Sequence, residues 1–87
     1  MKLKYEFAIS TVAGETVAVS VGAGKRNMVI KLNETAELLF GLLAEGADVS
    51  SLSDALMEKY DELDQETARA EAEEFVELLR SNQLLDE

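Results

Sequence analysis

The alternation of apolar and polar side chains predicts three short strands in the first part of the chain. Every second residue is apolar from Leu3 to Ile9, from Val17 to Val21 and from Met28 to Leu32. A period of two is typical of a strand, because successive side chains point to opposite faces of a sheet. Two glycine-containing segments, 11–15 and 22–27, separate these runs and predict hairpin connections.

The period changes to that of a helix immediately after the third strand. The apolar residues now recur at i, i+3, i+4 and i+7, at Ala36, Leu39, Phe40 and Leu43. Asn33 stands at the change, and asparagine is a favoured N-cap because its side-chain oxygen accepts a hydrogen bond from a free amide of the first turn. We therefore predict that the third strand passes directly into a first helix, which Gly46 ends.

Two more helices are predicted in the second half of the chain. Ser51 and Asp54 have the spacing of a capping box and predict the start of a second helix. Its apolar stripe consists of Leu52, Ala55, Leu56 and Tyr60. Asp64 is a suitable N-cap for a third helix, and we expect Asn82 to end that helix in a left-handed conformation. The third stripe consists of Ala68, Ala72, Phe75, Val76 and Leu79. The pair Leu84–Leu85 is then expected to fold back onto the body.

The order of the elements predicts the fold class. Three strands followed by three helices indicate an α+β fold with an antiparallel sheet on one side of the helices. The order βββααα resembles a winged helix with the wing at the N-terminus. A chain of 87 residues is enough for a single domain, residues 1–87, and its 47% hydrophobic content supports a core.

The composition removes several kinds of chemistry. The chain has no histidine and no cysteine, so the commonest general base, the thiolate nucleophile and the commonest metal ligands are missing. The acidic segment 61–66 lacks the glycine of a calcium-binding loop. No pair of carboxylates or hydroxyls has a spacing that singles it out for acid–base catalysis. We therefore predict no catalytic residues, no metal site and no cofactor.

The charge is distributed unevenly along the chain, whose net charge is −10. Residues 1–33 contain five basic and two acidic side chains, whereas residues 34–87 contain three basic and sixteen acidic ones. An acidic helical half repels nucleic acids and anionic membranes. No apolar run is long enough to span a bilayer or to act as a signal peptide. We expect a cytoplasmic protein that binds neither nucleic acid nor membrane.

The third predicted strand has three possible interpretations, which differ in what pairs with its outer edge. If it lies at the edge of the sheet, its outer amides and carbonyls are unpaired and invite another strand. In one interpretation a peptide adds there by β-augmentation, against an apolar helix wall. In another, Lys31 is a gatekeeper that keeps the edge monomeric. In a third, the edge pairs with a second copy of the chain and forms a homodimer.

A set of segments resembles the PqqD family, in which a Leu-Asn-x-Thr segment precedes a helix with a bulky aromatic residue. Here these are Leu32-Asn33-Glu34-Thr35 and Phe40. The similar segments cover nearly the whole chain and are 12–19, 30–36, 39–43, 58–61, 66–68, 75–79 and 84–85. Phe40 stands where tryptophan is frequent, and Asn82-Gln83 replaces the usual glycine before the final Leu-Leu.

The resemblance implies a function in natural product biosynthesis. The family is known as the RiPP recognition element, where RiPP denotes a ribosomally synthesised and post-translationally modified peptide. Such a member is a non-catalytic peptide chaperone that binds the leader segment of a precursor peptide and presents it to a modifying enzyme, often a radical SAM enzyme. The leader adds as a strand beside the third strand and against the third helix. For this chain we expect the strand edge to consist of Val29, Ile30 and Lys31. We expect the helix wall to consist of Glu71, Phe75 and Leu78.

Leu78 has two interpretations because it lies off the main apolar stripe of the third helix. It either contacts the bound peptide or packs beneath the C-terminal tail. The alternative function is a transcription-associated or structural protein of winged-helix type that acts through protein contacts.

Overall fold

A computed structural model describes residues 1–21 and 28–86 of the chain. The elements are β1 (Lys2–Leu3), β2 (Glu6–Val12), β3 (Glu15–Val21), β4 (Val29–Leu32), α1 (Glu34–Glu45), α2 (Val49–Lys59), α3 (Gln65–Ser81) and β5 (Leu85–Asp86). β2, β3 and β4 form a three-stranded antiparallel sheet in that order, and the three helices follow it. The predicted α+β fold class is confirmed. The predicted connection 22–27 lies outside the described residues.

The first predicted strand is divided in two, so the prediction of one strand from Leu3 to Ile9 is wrong. β1 pairs with β5 near the C-terminus, and the Lys4 amide donates to the Leu84 carbonyl at 2.8 Å. A bend follows at residues 4–5, and β2 begins at Glu6. The N-terminal residues find their backbone partners about 80 residues away, which no local pattern contains. The expected return of Leu84–Leu85 onto the body is confirmed, since both are buried.

The connection between β2 and β3 is a two-residue turn. Val12 pairs with Glu15, and the residues between them, Ala13 and Gly14, have φ angles of 54° and 81°. Positive φ at both central positions is the signature of a type I′ turn, whose twist matches that of the flanking strands. The predicted hairpin is confirmed, and its turn is shorter than the predicted connection 11–15.

One face of the sheet packs on the helices. Residues directly opposite each other on neighbouring strands share a face, and the row Ile9, Ala18 and Ile30 faces the helices. Ala18 is fully buried there. Phe7 lies on the same face, and its ring meets that of Phe40 edge to face, with centroids 5.0 Å apart. The core therefore lies between this face and the helices.

Acidic or amide side chains begin all three helices. Asn33 Oδ1 accepts from the Ala36 amide at 2.7 Å, and Asp64 Oδ1 accepts from the Thr67 amide at 2.8 Å, as predicted. The predicted start of α2 is wrong, because Asp48 rather than Ser51 is the N-cap. The Asp48 carboxylate accepts from the Ser51 amide at 2.8 Å, so α2 begins three residues earlier than expected.

The C-terminal end of α1 agrees with the prediction, whereas the C-terminal end of α3 differs from it. Gly46 ends α1 with φ 107° and donates to the Leu42 carbonyl at 3.1 Å, as expected. Asn82, expected in a left-handed conformation, has φ −96°, and Gln83 has φ 60° instead. The Asn82 side-chain amide donates to the Leu78 carbonyl at 2.8 Å, so Asn82 caps the helix while the next residue reverses the chain.

The helical part of the core is formed by large apolar side chains of α1 and α2. The largest fully buried ones are Phe40, Leu39, Leu43, Leu52 and Leu56. Within the described residues, no helix combines the length and the apolar character needed to cross a membrane.

Gly41 within α1 and Gly46 directly after it are expected to respond in opposite ways to replacement by alanine. A Cβ at Gly41 meets nothing within 4 Å, so Gly41→Ala should stabilise the protein by about 0.5–1 kcal/mol through helix propensity. Gly46→Ala is the matched control and should destabilise it, because φ is 107° there. Urea denaturation measures both, and a destabilising Gly41→Ala would contradict the description of this helix.

Asp64 predicts a pH-dependent contribution to stability. The hydrogen bond from the Thr67 backbone amide, and after it the one from the Thr67 hydroxyl, lowers the pKa of Asp64 from 3.8. Because the folded pKa lies below the unfolded one, the stabilisation is complete above pH 3.8 and is lost as the pH falls through the folded value. Asparagine keeps a cap acceptor but does not titrate. The stability difference between wild type and Asp64→Asn should therefore shrink in acid, and a constant difference would count against this cap.

Candidate functional site

The outer edge of β4 carries backbone groups that no other strand of the described chain engages. Within residues 1–21 and 28–86, β4 is a terminal strand of the sheet and pairs only with β3. The Ser20 amide donates to the Met28 carbonyl at 2.9 Å, which makes these two residues a hydrogen-bonded pair. Such pairs alternate along an antiparallel ladder, so Ile30 is hydrogen-bonded to β3 as well. Val29 and Lys31 therefore direct their N–H and C=O groups away from the sheet.

A groove of about 550 Å³ lies between β4, the start of α1 and α3. Its lining residues are Ile30, Lys31, Leu32, Asn33, Thr35, Ala36, Leu39, Glu71, Glu74, Phe75, Leu78 and Leu79. Five of the six predicted site residues are brought together here, and Val29 is not among them. Val29 is 66% exposed on the face of the sheet that points away from the helices.

The helix wall of the groove offers apolar side chains to a ligand. Phe75 is half-buried, and Leu78 is 58% exposed although its neighbour Leu79 is almost fully buried. Leu84–Leu85 is buried without covering Leu78. The interpretation that Leu78 packs beneath the C-terminal tail is therefore wrong, and this leucine remains accessible at the groove.

The groove continues past the first turn of α1. A smaller cavity of about 210 Å³ shares Thr35 and Glu71 with it and is also lined by Tyr60, Glu62 and Leu63. Asn33, Thr35 and Leu39 line the larger groove but were not among the predicted site residues. The Leu-Asn-x-Thr segment contains two of them. Asn33 was predicted as a helix cap and both residues belong to the family motif, but neither of them was assigned to the binding site.

The charges at the groove are mainly acidic. Glu71 and Glu74 line the α3 side. The Lys31 ammonium lies 3.0 Å from the Glu15 carboxylate, and both side chains are largely exposed. An exposed pair of this kind contributes only about 0–1 kcal/mol. Glu15 lies on the outer face of the sheet. The Lys31 ammonium therefore pairs on that face, while the Lys31 backbone lies at the free edge.

The chemistry available at the groove is that of binding. It combines outward backbone donors and acceptors on one side with an aromatic ring, a leucine and two carboxylates on the other. Among residues 1–21 and 28–86, no three carboxylates are grouped so that they could hold a metal ion. An extended segment of another chain is the ligand that uses a free strand edge and a facing apolar wall together.

The fold and the groove define a winged-helix-like α+β domain with an open strand edge beside its last helix. Residues 15–85 match the family described as Coenzyme PQQ synthesis protein D (PqqD), and the chain belongs to this family. The solved structure "TbiB1 in Complex with the TbiA(beta) Leader Peptide" is similar, with 22% identity, a TM-score of 0.74 and coverage of 99% of this chain and 95% of that one. At this identity the likeness shows a shared fold. No curated protein matches the chain.

Alanine substitutions of two neighbouring leucines of α3 test whether the side chain at the groove contributes to the stability of the fold. Leu78→Ala should change the free energy of unfolding by at most about 0.5 kcal/mol, because the side chain is mostly exposed. Leu79→Ala, the matched control, should cost about 2–5 kcal/mol because it leaves a cavity in the core. Urea denaturation of both variants measures the difference, and equal losses would place Leu78 in the core.

Proposed function

We propose that this protein is a non-catalytic adaptor that binds the leader segment of a ribosomally made precursor peptide by strand addition. The observation that carries the proposal is the position of the free edge of β4 opposite Phe75 and Leu78 in one groove. In this role the adaptor presents the peptide to a modifying enzyme, for which the family resemblance suggests a radical SAM enzyme. The role belongs in the cytoplasm, where ribosomes make the precursor.

The geometry of β4 limits how a guest strand is held. In the antiparallel direction, Val29 and Lys31 can each exchange two backbone hydrogen bonds with it, which makes at most four. Each such bond contributes about 0.5–1.5 kcal/mol net. Because side chains alternate along a strand, every second guest residue points into the groove toward Phe75 and Leu78. Affinity would come from the main chain and specificity from these side-chain contacts.

The comparisons support a peptide ligand of this kind. The chain belongs to the PqqD family, and the structure of similar fold is, by its title, a complex with a leader peptide. The same fold in this chain carries an unpaired strand edge and an adjoining groove of about 550 Å³. A leader peptide is therefore the occupant that we propose for the groove.

The winged-helix alternative in transcription has less support. In such proteins the last helix commonly faces the DNA backbone and bases, and it carries basic or amide side chains. The exposed face of α3 instead carries Glu66, Glu71, Glu73, Glu74 and Glu77. These carboxylates would repel phosphates, so a gel shift at low salt should show no complex.

Replacing Lys31 by proline tests the backbone contact directly. The Lys31 amide points away from β3, so proline at this edge position removes an outward donor without breaking the ladder. Lys31→Pro should weaken binding of the leader from the adjacently encoded precursor by about 2- to 10-fold relative to Lys31→Ala. Lys31→Ala is the matched control because both variants lack the ammonium. Fluorescence polarisation with the labelled leader measures the two dissociation constants.

Side-chain variants of the helix wall complete this test. Phe75→Ala and Leu78→Ala should each weaken leader binding by about 10-fold or more, as truncated central apolar contacts commonly do. Val12→Ala, on the opposite face of the sheet, should leave binding unchanged. An absence of leader binding, or binding that is indifferent to Lys31→Pro, Phe75→Ala and Leu78→Ala, would refute strand addition in this groove.

A further inference from the structure

We propose that the outer face of the sheet is a self-association surface, through which two copies of this chain pack sheet against sheet. This valine face consists of the outward residues Ala8, Val12, Val17, Val19, Val21 and Val29. It is distinct from the free edge of β4, and the proposal does not depend on peptide binding.

The apolar and polar side chains of β3 lie on the opposite faces from those expected in a sheet with one face exposed to solvent. Such a sheet normally directs apolar side chains to the core and polar ones to water. In β3 the residues on the core face are Thr16, Ala18 and Ser20, which are opposite Leu32, Ile30 and Met28 of the neighbouring segment. The three valines of β3 point away from the helices. The larger apolar side chains of this strand are therefore on the outer face, where Val21 is exposed and Val17 and Val19 are half-buried.

The valine face continues across all three strands. Val19 lies between Ala8 on β2 and Val29 on β4, because the three residues are directly opposite one another. Val12, Val21 and Val29 are 60%, 49% and 66% exposed. The outward residues Ser10 and Glu15 separate Val12 from the others, so the contiguous apolar group is Ala8, Val17, Val19, Val21 and Val29. Single exposed apolar residues are ordinary on a protein surface, but a contiguous group is typical of an interaction surface.

The outer face carries little charge, as a surface that meets its own copy requires. The charged residues on the outer face are Glu6, Glu15 and Lys31, and the last two form an ion pair. The acidic side chains of α1, α2 and α3 lie on the other side of the sheet. When two valine faces meet, both acidic helical layers become the outermost layers, which keeps the repulsion between chains of net charge −10 small.

The size of the face sets the expected strength of the dimer. With strands of seven, seven and four residues, it covers roughly 280 Å² in plan at standard strand spacings. Projecting side chains enlarge the accessible area, but a two-fold dimer still lies below the lower limit of about 1,200 Å² for specific, stable interfaces. A reversible dimer with a dissociation constant in the micromolar range or weaker follows. The groove stays open in such a dimer, because it lies between β4 and the helices.

Sedimentation equilibrium of the purified chain from about 10 μM to about 1 mM tests the proposal. The wild type should shift reversibly from monomer to dimer. Val12→Lys and Val21→Lys place a charge on the face at exposed positions and should weaken the dimer by at least about 10-fold. Leu78→Lys is the matched control, since it alters an exposed apolar residue outside the face, and it should dimerise as the wild type does.

Amide NMR spectra of the wild type over the same concentrations give a second measurement that needs no variant. The shifts should change at residues 8, 12, 17, 19, 21 and 29 and not at residues 71, 75 and 78. A chain that stays monomeric throughout overturns the proposal. So does a dimer that survives both valine substitutions, that is lost in Leu78→Lys, or whose shift changes lie along α3.

Discussion

The antiparallel pairing of β4 with β3 is the constraint on which the groove depends. In such a ladder each residue turns its backbone groups either toward its partner strand or away from it. The Ser20–Met28 hydrogen bond sets the phase, and the outward positions are then Val29 and Lys31. A shift of one residue would present other backbone groups at the edge and turn every side chain of the strand to the opposite face.

The short link between β4 and α1 places that edge beside the helices. Asn33 alone separates the strand from the helix, and its side chain accepts from the Ala36 amide. The chain therefore turns from sheet to helix at the end of the edge strand, and the first turn of α1 becomes the floor between β4 and α3. Thr35 lies in this turn and lines both cavities. The N-cap thus connects a local hydrogen bond with the shape of the binding surface.

One four-residue strand serves three surfaces of the molecule. The Leu32 side chain is buried in the core, and Ile30 packs partly on it. The Val29 and Lys31 side chains project to the outer face, while their backbone groups form the free edge. A leader on that edge would extend the sheet by one strand. Its outward side chains would then lie beside Val29, so the leader groove and the valine face would become neighbours without sharing any residue.

Local patterns in the sequence were sufficient to predict the main strands and helices, two of the three N-caps and the family. The alternation and the 3.6-residue stripes place the three main strands and the three helices, because each pattern is complete within one element. Asn33 and Asp64 were identified as caps because capping involves residues only three positions apart. Five of the six predicted site residues line one groove, because the family resemblance implied that the third strand and the third helix form its two walls.

The tertiary structure alone decided which segments meet and which faces are covered. The pairing of β1 with β5 joins the two ends of the chain, and no local period contains it. Alternation also cannot tell which face of β3 meets the helices, so the outward direction of its valines had to come from the register. The register also decided the position of Val29, which belongs to β4 but does not line the groove. Sequence records spacing along one chain, whereas burial depends on what packs against each face.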